Sequence, residues 1–329
     1  MLSLPLLMAG QASTPGLPAT GDPILGIRTS VPSWEQLRGF YSSHPRRRRP
    51  RETVEHAGNT LIFRARLRDG LRVVFMRPSA PGRYPSVLCL HGLRGSKEQF
   101  LRLVGGRLLA RGLAVIAIDA PFHGQRRTPE GDRMLAHMLA VAGRGLAQGD
   151  LAASVFQGDS GRAGAMLYEA IVEKGVRDAG VALDFLAARK DVDSGRIGVL
   201  GSSLGSTMAA ILGGLDSRVG AVVLCVGGDP TLPLLDGATP EARLRLAAVS
   251  PSLFVSHFDG RPLLMVNAML DKTVPGNAAD RLFAAAGEPK KQVWYRGSHT
   301  LPSEALDQAA AWIAAYLQGQ STKNFVKRA

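Results

Sequence analysis

The alternation of apolar and polar positions changes character near Asn59. Residues 61–68 and 71–77 alternate with a period of two and are separated by Asp69-Gly70. That pair accepts the positive φ values of a tight turn, so the pattern predicts an antiparallel hairpin. Further on, residues 86–90, 113–119, 196–200, 219–226, 262–267 and 292–295 form short runs that are apolar throughout. Such runs are expected of strands buried on both faces, as in a parallel sheet. Helical patterns separate them at 97–111, 163–189, 203–212, 277–286 and 303–317. In the second of these, Val172, Val176, Ala179, Leu183 and Leu186 recur at steps of three and four and make one apolar face; Leu306, Ala310, Ile313 and Leu317 do the same in the last. A hairpin followed by strand–helix units predicts a doubly wound, mostly parallel α/β sheet that opens antiparallel.

The ends of the chain read differently. Residues 1–33 are rich in Pro, Gly, Ser and Thr, and residues 34–58 carry Trp34, Leu37, Phe40 and Tyr41 at helical spacing before a basic run, Arg46–Arg49 with Arg51. The expected division is an N-terminal arm and basic linker over 1–58 and one α/β domain over 59–329. An insertion at about 126–161 interrupts the domain and carries Met134, Met138 and Phe156. Long insertions above strand ends are often lids or pocket walls, and a surface helix pair is the alternative.

Charge changes this picture little. There are 40 Lys and Arg against 27 Asp and Glu, a formal charge of +13, which favours polyanions in general. No helix-turn-helix, zinc-finger or RNA-binding signature accompanies it, so no nucleic acid is expected. No apolar run approaches the ~18 residues of a membrane span. The run Leu2–Met8 lacks the basic flank and length of an ordinary secretory signal, which favours the cytoplasm and leaves export by an atypical signal open. Cys89 and Cys225 sit inside apolar runs and read as buried thiols. Their spacing suggests no metal site.

The chemistry is concentrated at the ends of the apolar runs. Gly201-Ser202-Ser203-Leu204-Gly205 follows one such run and opens a helix. A serine at a sharp strand–helix turn is exposed, and the helix start faces developing negative charge. A serine hydroxyl needs a base, and the base an orienting acid. Of His257 and His299, the two histidines beyond Ser203, His299 follows the last strand and can swing over the strand ends. His257 precedes a strand and reads as a surface or capping residue. Asp271 lies just past the end of the 262–267 strand, where ligands approach an open sheet; Asp229 is the second candidate for the acid. A tetrahedral intermediate needs two backbone N–H donors, expected from Leu204 and from Leu93 in the loop after residues 86–90. His91 is read as stabilising that loop. Phe122 and His123, in the loop after 113–119, join Met134, Met138 and Phe156 as pocket or lid candidates. Asp119 and His123 are expected to brace the floor of the site.

His91-Gly92, Asp119-Ala120-Pro121-Phe122-His123-Gly124, the elbow Gly201–Gly205, Asp271-Lys272-Thr273-Val274-Pro275 and Gly297-Ser298-His299 together resemble the α/β-hydrolase superfamily. Within it they are similar to dienelactone-hydrolase-like and acetyl-xylan-esterase-like enzymes, over roughly residues 59–319. The resemblance implies an α/β-hydrolase fold, a Ser203–His299–Asp271 triad, hydrolysis of small-molecule carboxylic esters, no metal and no cofactor. A homo-oligomer is compatible with it. The chain departs from dienelactone hydrolases proper in carrying serine, not cysteine, at the elbow.

Two other functions compete. Prolyl-peptidase-type serine peptidases and amidases share the fold and residue order, but bring a large accessory β domain that the 58 residues before the core do not supply. A non-catalytic polyanion-binding scaffold would use the basic charge alone, and would have no need of all three triad members.

Overall fold

A computed structural model describes residues 31–42, 50–147 and 158–320. Phe156 and the run Arg46–Arg49 lie outside the described residues.

Nine strands form one sheet in the order β1-β2-β3-β5-β4-β6-β7-β8-β9. They are β1 (Arg51–Ala57), β2 (Thr60–Arg66), β3 (Arg72–Pro78), β4 (Tyr84–Leu90), β5 (Ala114–Ile118), β6 (Val192–Ser202), β7 (Val219–Cys225), β8 (Leu263–Ala268) and β9 (Lys290–Tyr295). The first three pair antiparallel, as does β3 with β5, and all later pairs are parallel. The continuous apolar runs become β4 to β8 because helices cover both sides. On one face Val73, Leu88, Ile116 and Val199 pack against helices α4 (Gly158–Ala187) and α5 (Leu204–Leu215). On the other, Val87, Val115, Leu200 and Val223 pack against α2 (97–109) and α7 (Ser303–Leu317). Cys89 and Cys225 lie in that second layer as free thiols. Burial pushes both above the ordinary thiol range, Cys225 to about 12, so neither is a ready nucleophile.

The hairpin differs in detail from a two-residue turn. Asp69 and Gly70 do take positive φ (55° and 74°), but the loop runs from Leu67 to Leu71 and closes with Leu67 N–H donating to Leu71 O at 2.7 Å. Leu71 is buried in the core, and this inward turn of an apolar side chain lengthens the loop.

The sheet also begins earlier than the apolar pattern implies. Arg51–Ala57, which falls in the expected linker, is the edge strand β1, paired residue for residue with β2. All seven of its residues are exposed, so no face needed apolar residues and no alternation marked it. Its charged side chains suit an edge that must not recruit another strand.

Helix α1 (Trp34–Tyr41) starts on a capping box in which Ser33 and Gln36 each bond the other's backbone N–H. It docks on the domain through buried Leu37, the Tyr41 hydroxyl on Ala248 O at 2.7 Å, and Trp34 stacked on His257 at 3.7 Å. His257 is therefore a packing residue at this junction. Among the described residues no helix is long and apolar enough to cross a membrane.

Candidate active site

β4 is the centre of the sheet, with β5 on one side and β6 on the other. Loops leaving the ends of β4 and β6 open a crevice there, the usual ligand position in an open parallel sheet. Leu93, Ser203, Leu204, Asp271 and His299 lie on or at the ends of these loops and of those after β8 and β9.

Ser203 stands between β6 and α5 with φ 53° and ψ −115°, a conformation that L-residues adopt at a cost. The turn is held from both sides. Ser203 N–H donates to Cys225 O at 2.9 Å, and the buried Ser206 hydroxyl bonds Gly201 O and Cys225 O at 3.0 and 2.8 Å. The turn is also too tight for side chains at two positions. A Cβ on Gly201 would stand 2.1 Å from Gly205 O, and one on Gly205 2.0 Å from Leu90 O.

The His299 imidazole bridges Ser203 and Asp271. Nε2 is 2.9 Å from Ser203 Oγ and Nδ1 2.8 Å from Asp271 Oδ2. An ionised carboxylate only accepts, so Nδ1 carries the proton and Nε2 offers its lone pair to the hydroxyl. The other oxygen, Asp271 Oδ1, accepts the N–H groups of Thr273 (2.8 Å) and Val274 (3.0 Å). Burial works against ionisation of this carboxyl, but the hydrogen bonds from His299, Val274 and Thr273 outweigh it and hold it below the ordinary carboxylate range. Asp229, the other acid considered, is fully buried. It accepts from Thr231, Leu232, Ser250 and Ser252, which makes it a tie between loops.

Leu93 and Leu204 flank Ser203 along one cavity of about 350 Å³. Leu204 is the first residue of α5, so its N–H has no intrahelical acceptor. Leu93 sits in a turn closed by Gly95 N–H on Gly92 O at 3.0 Å. A Cβ on Gly92 would lie 3.3 Å from Ser203 Cβ, so the turn lies directly against the serine. His91 fixes this turn. Its Nε2 accepts the Ala120 N–H at 3.0 Å and its Nδ1 donates to Gly92 O at 2.7 Å, which joins the loops after β4 and β5.

Burial pushes the His91 pKa from 6.5 down to about 4, against the hydrogen bond to Gly92 that favours the proton. The folded imidazole thus refuses a proton that the unfolded chain takes up as pH falls below 6.5. Stability is expected to drop between pH 6.5 and 4, by about 3 kcal/mol from this group. Urea unfolding of wild type and His91→Gln at pH 7 and pH 4 checks this: the stability gap between the two should narrow in acid, and parallel behaviour would refute it.

Below the crevice Asp119 accepts from Lys97 twice, at N–H (2.8 Å) and at Nζ (2.5 Å), and from Gln125 N–H (3.0 Å). Lys97 and Asp119 are each 1% exposed. Lys97 has no signature as a floor residue, since its helix reads as an ordinary amphipathic segment.

The expected pocket residues divide. Met138 lines the cavity with Leu139 and Val141, all on helix α3 (Pro129–Ala147). Met134 is 41% exposed, because the buried stripe of that helix runs Leu135, Met138, Val141 and leaves Met134 one position off it. Neither Phe122 nor His123 is among the lining residues. Phe122 takes φ 63° and lies against Gly131, where a Cβ would meet its ring at 2.8 Å. His123 is buried beneath the site, its Nδ1 2.7 Å from Pro121 O. Among the described residues there is no group of three or more His, Cys, Asp or Glu that could hold a metal ion.

The family model for the alpha/beta hydrolase fold matches residues 85–255, more than half of the chain. The chain belongs to the α/β-hydrolase family. This α/β-hydrolase is 31% identical over 186 residues to an uncharacterized protein of Mycobacterium tuberculosis (strain ATCC 25618 / H37Rv), an alignment that takes in 54% of the chain and 62% of that relative. The chain therefore spans less than two thirds of the curated relative it matches. Among solved structures, acetyl xylan esterase from Paenibacillus sp. R4 superposes with a TM-score of 0.60 at 19% identity, over 86% of this chain and 92% of that one. Acetyl xylan esterase 1 from Thermoanaerobacterium sp. JW/SL YS485 does so with a TM-score of 0.58 at 16% identity, over 88% and 99%. At these identities the likeness is one of fold.

Proposed function

We propose that this α/β-hydrolase cleaves carboxylic esters through an acyl-enzyme on Ser203. The observation that carries the reading is the His299 ring, bonded at once to the Ser203 hydroxyl and the Asp271 carboxylate beside an apolar cavity. Ser203 Oγ attacks the ester carbonyl carbon as His299 Nε2 takes the hydroxyl proton. Asp271 stabilises the imidazolium that forms. The carbonyl oxygen becomes an oxyanion that the Leu204 and Leu93 N–H groups receive. The intermediate then collapses. The alkoxide leaves with the proton from His299, and the acyl group stays on Ser203. A water molecule next gives its proton to His299 and attacks the acyl carbon, and collapse returns the proton to Ser203 and frees the carboxylic acid.

The test is turnover of p-nitrophenyl acetate and butyrate, with labelling by a fluorophosphonate. Wild type should turn over ester and take the label on Ser203. Absence of both would end the proposal, and faster cleavage of aminoacyl-anilides than of esters would replace it with an amidase.

A further inference from the structure

The cavity at Ser203 is mostly apolar, with hydroxyls from Tyr168, Ser203, Thr207, Thr231 and Thr273 among its lining residues. Its walls include Leu93, Met138, Val141, Leu234 and Val274, and among the described lining residues Glu169 is the only charged side chain. The Glu169 side chain is 12% exposed, and its Oε2 accepts from Arg245 Nε at 3.2 Å. Among the described residues that is its only hydrogen-bond partner, so Oε1 retains full accepting capacity on a carboxylate placed in an apolar chamber. Burial holds the carboxyl above its ordinary range even with Arg245 beside it. Carboxylates so placed are costly unless a donor meets them. Position adds to this. Leu246, next to Arg245 on helix α6 (Pro240–Ala248), also lines the cavity, so Glu169 lies where that helix borders it. The preceding residue, Tyr168, reaches Thr207 at 3.3 Å, one turn beyond Ser203.

We infer that the cavity takes an ester whose acyl chain is apolar along its length and carries a hydroxyl at its far end, and that Glu169 accepts the hydrogen bond from that hydroxyl. The inference rests on Ser203 being the nucleophile. The acyl part stays bonded to Ser203 between the two half-reactions, so it is the part that the cavity beside Ser203 retains while the alcohol departs. A neutral donor fits better than an ammonium, because the Arg245 guanidinium already supplies the positive charge at 3.2 Å. The volume, about 350 Å³, is at the small end for ligand pockets, which suits a short chain. Glu169 is then a specificity residue, and Arg245 positions it.

The experiment compares kcat/KM for p-nitrophenyl 6-hydroxyhexanoate and 8-hydroxyoctanoate with the unsubstituted hexanoate and octanoate. It uses wild type, Glu169→Gln and Glu169→Leu. Wild type should favour the better of the two hydroxy esters by about tenfold or more over its unsubstituted partner, the worth of a hydrogen bond to a charged group. Glu169→Gln should keep part of the preference, and Glu169→Leu should invert it. A wild-type preference for both unsubstituted esters, or the same ratios in wild type and Glu169→Leu, would overturn the inference. Failure of every ester would sink the reading of Ser203 instead. Calorimetric titration of wild type and Glu169→Leu with 6-hydroxyhexanamide and hexanamide then decides the pocket. Tighter binding of the hydroxy amide that depends on Glu169 supports the inference, and equal affinities refute it.

Discussion

Ser203→Ala is expected to lower kcat for p-nitrophenyl butyrate by about 10⁴–10⁶-fold while leaving the fold intact. The magnitude follows from what the hydroxyl does: without it no acyl-enzyme forms, and only the backbone donors and the binding of substrate remain to assist water. KM should change little, since the cavity walls are untouched. His299→Ala should cost about as much, and the double variant should cost no more than either single one, because the residues act as a unit. A titration of active sites with fluorophosphonate separates this from trace contamination. Residual turnover within about tenfold of wild type in Ser203→Ala would refute the mechanism.

Asp119→Ala is expected to destabilise the protein by about 3–5 kcal/mol, a large part of the roughly 5–15 kcal/mol that holds a typical domain. The substitution leaves the Lys97 ammonium buried with Glu98, at 3.0 Å, as its remaining carboxylate neighbour. It also strips the acceptor from the N–H groups of Lys97 and Gln125. The origin of the cost can be tested. If it is an uncompensated buried charge, Lys97→Met combined with Asp119→Asn should be more stable than Asp119→Asn alone, since removing both charges can be nearly neutral where removing one is not. Urea midpoints for the single and double variants measure this, and an Asp119→Ala loss below about 1 kcal/mol would contradict it.

Much of this architecture could be read from the sequence, for reasons that differ by element. The buried strands announce themselves because both faces are covered, as at β4 and β5, where Val87, Leu88, Val115 and Ile116 are all fully buried. Ser203, Asp271 and His299 could be picked out because each follows a strand closely, and strand ends converge on one rim. The edge strand β1 could not, because an exposed strand needs no apolar residue. The side of α3 that meets the cavity is only partly legible: Met134 and Met138 are one helical turn apart, yet the neighbouring elements bury the second and leave the first outside. Lys97 and Glu169 left no trace in local pattern. Each is an ordinary charged residue on an amphipathic helix, and only the tertiary neighbours, a buried carboxylate for one and an apolar chamber for the other, change its meaning.

The backbone at Ser203 has a consequence of a different kind. A residue at φ 53° occupies a region where glycine rests without penalty and every other side chain resists. The turn would therefore be more comfortable with glycine, a residue that carries no hydroxyl. If Ser203 is the nucleophile proposed above, durability and chemistry pull in opposite directions at this position.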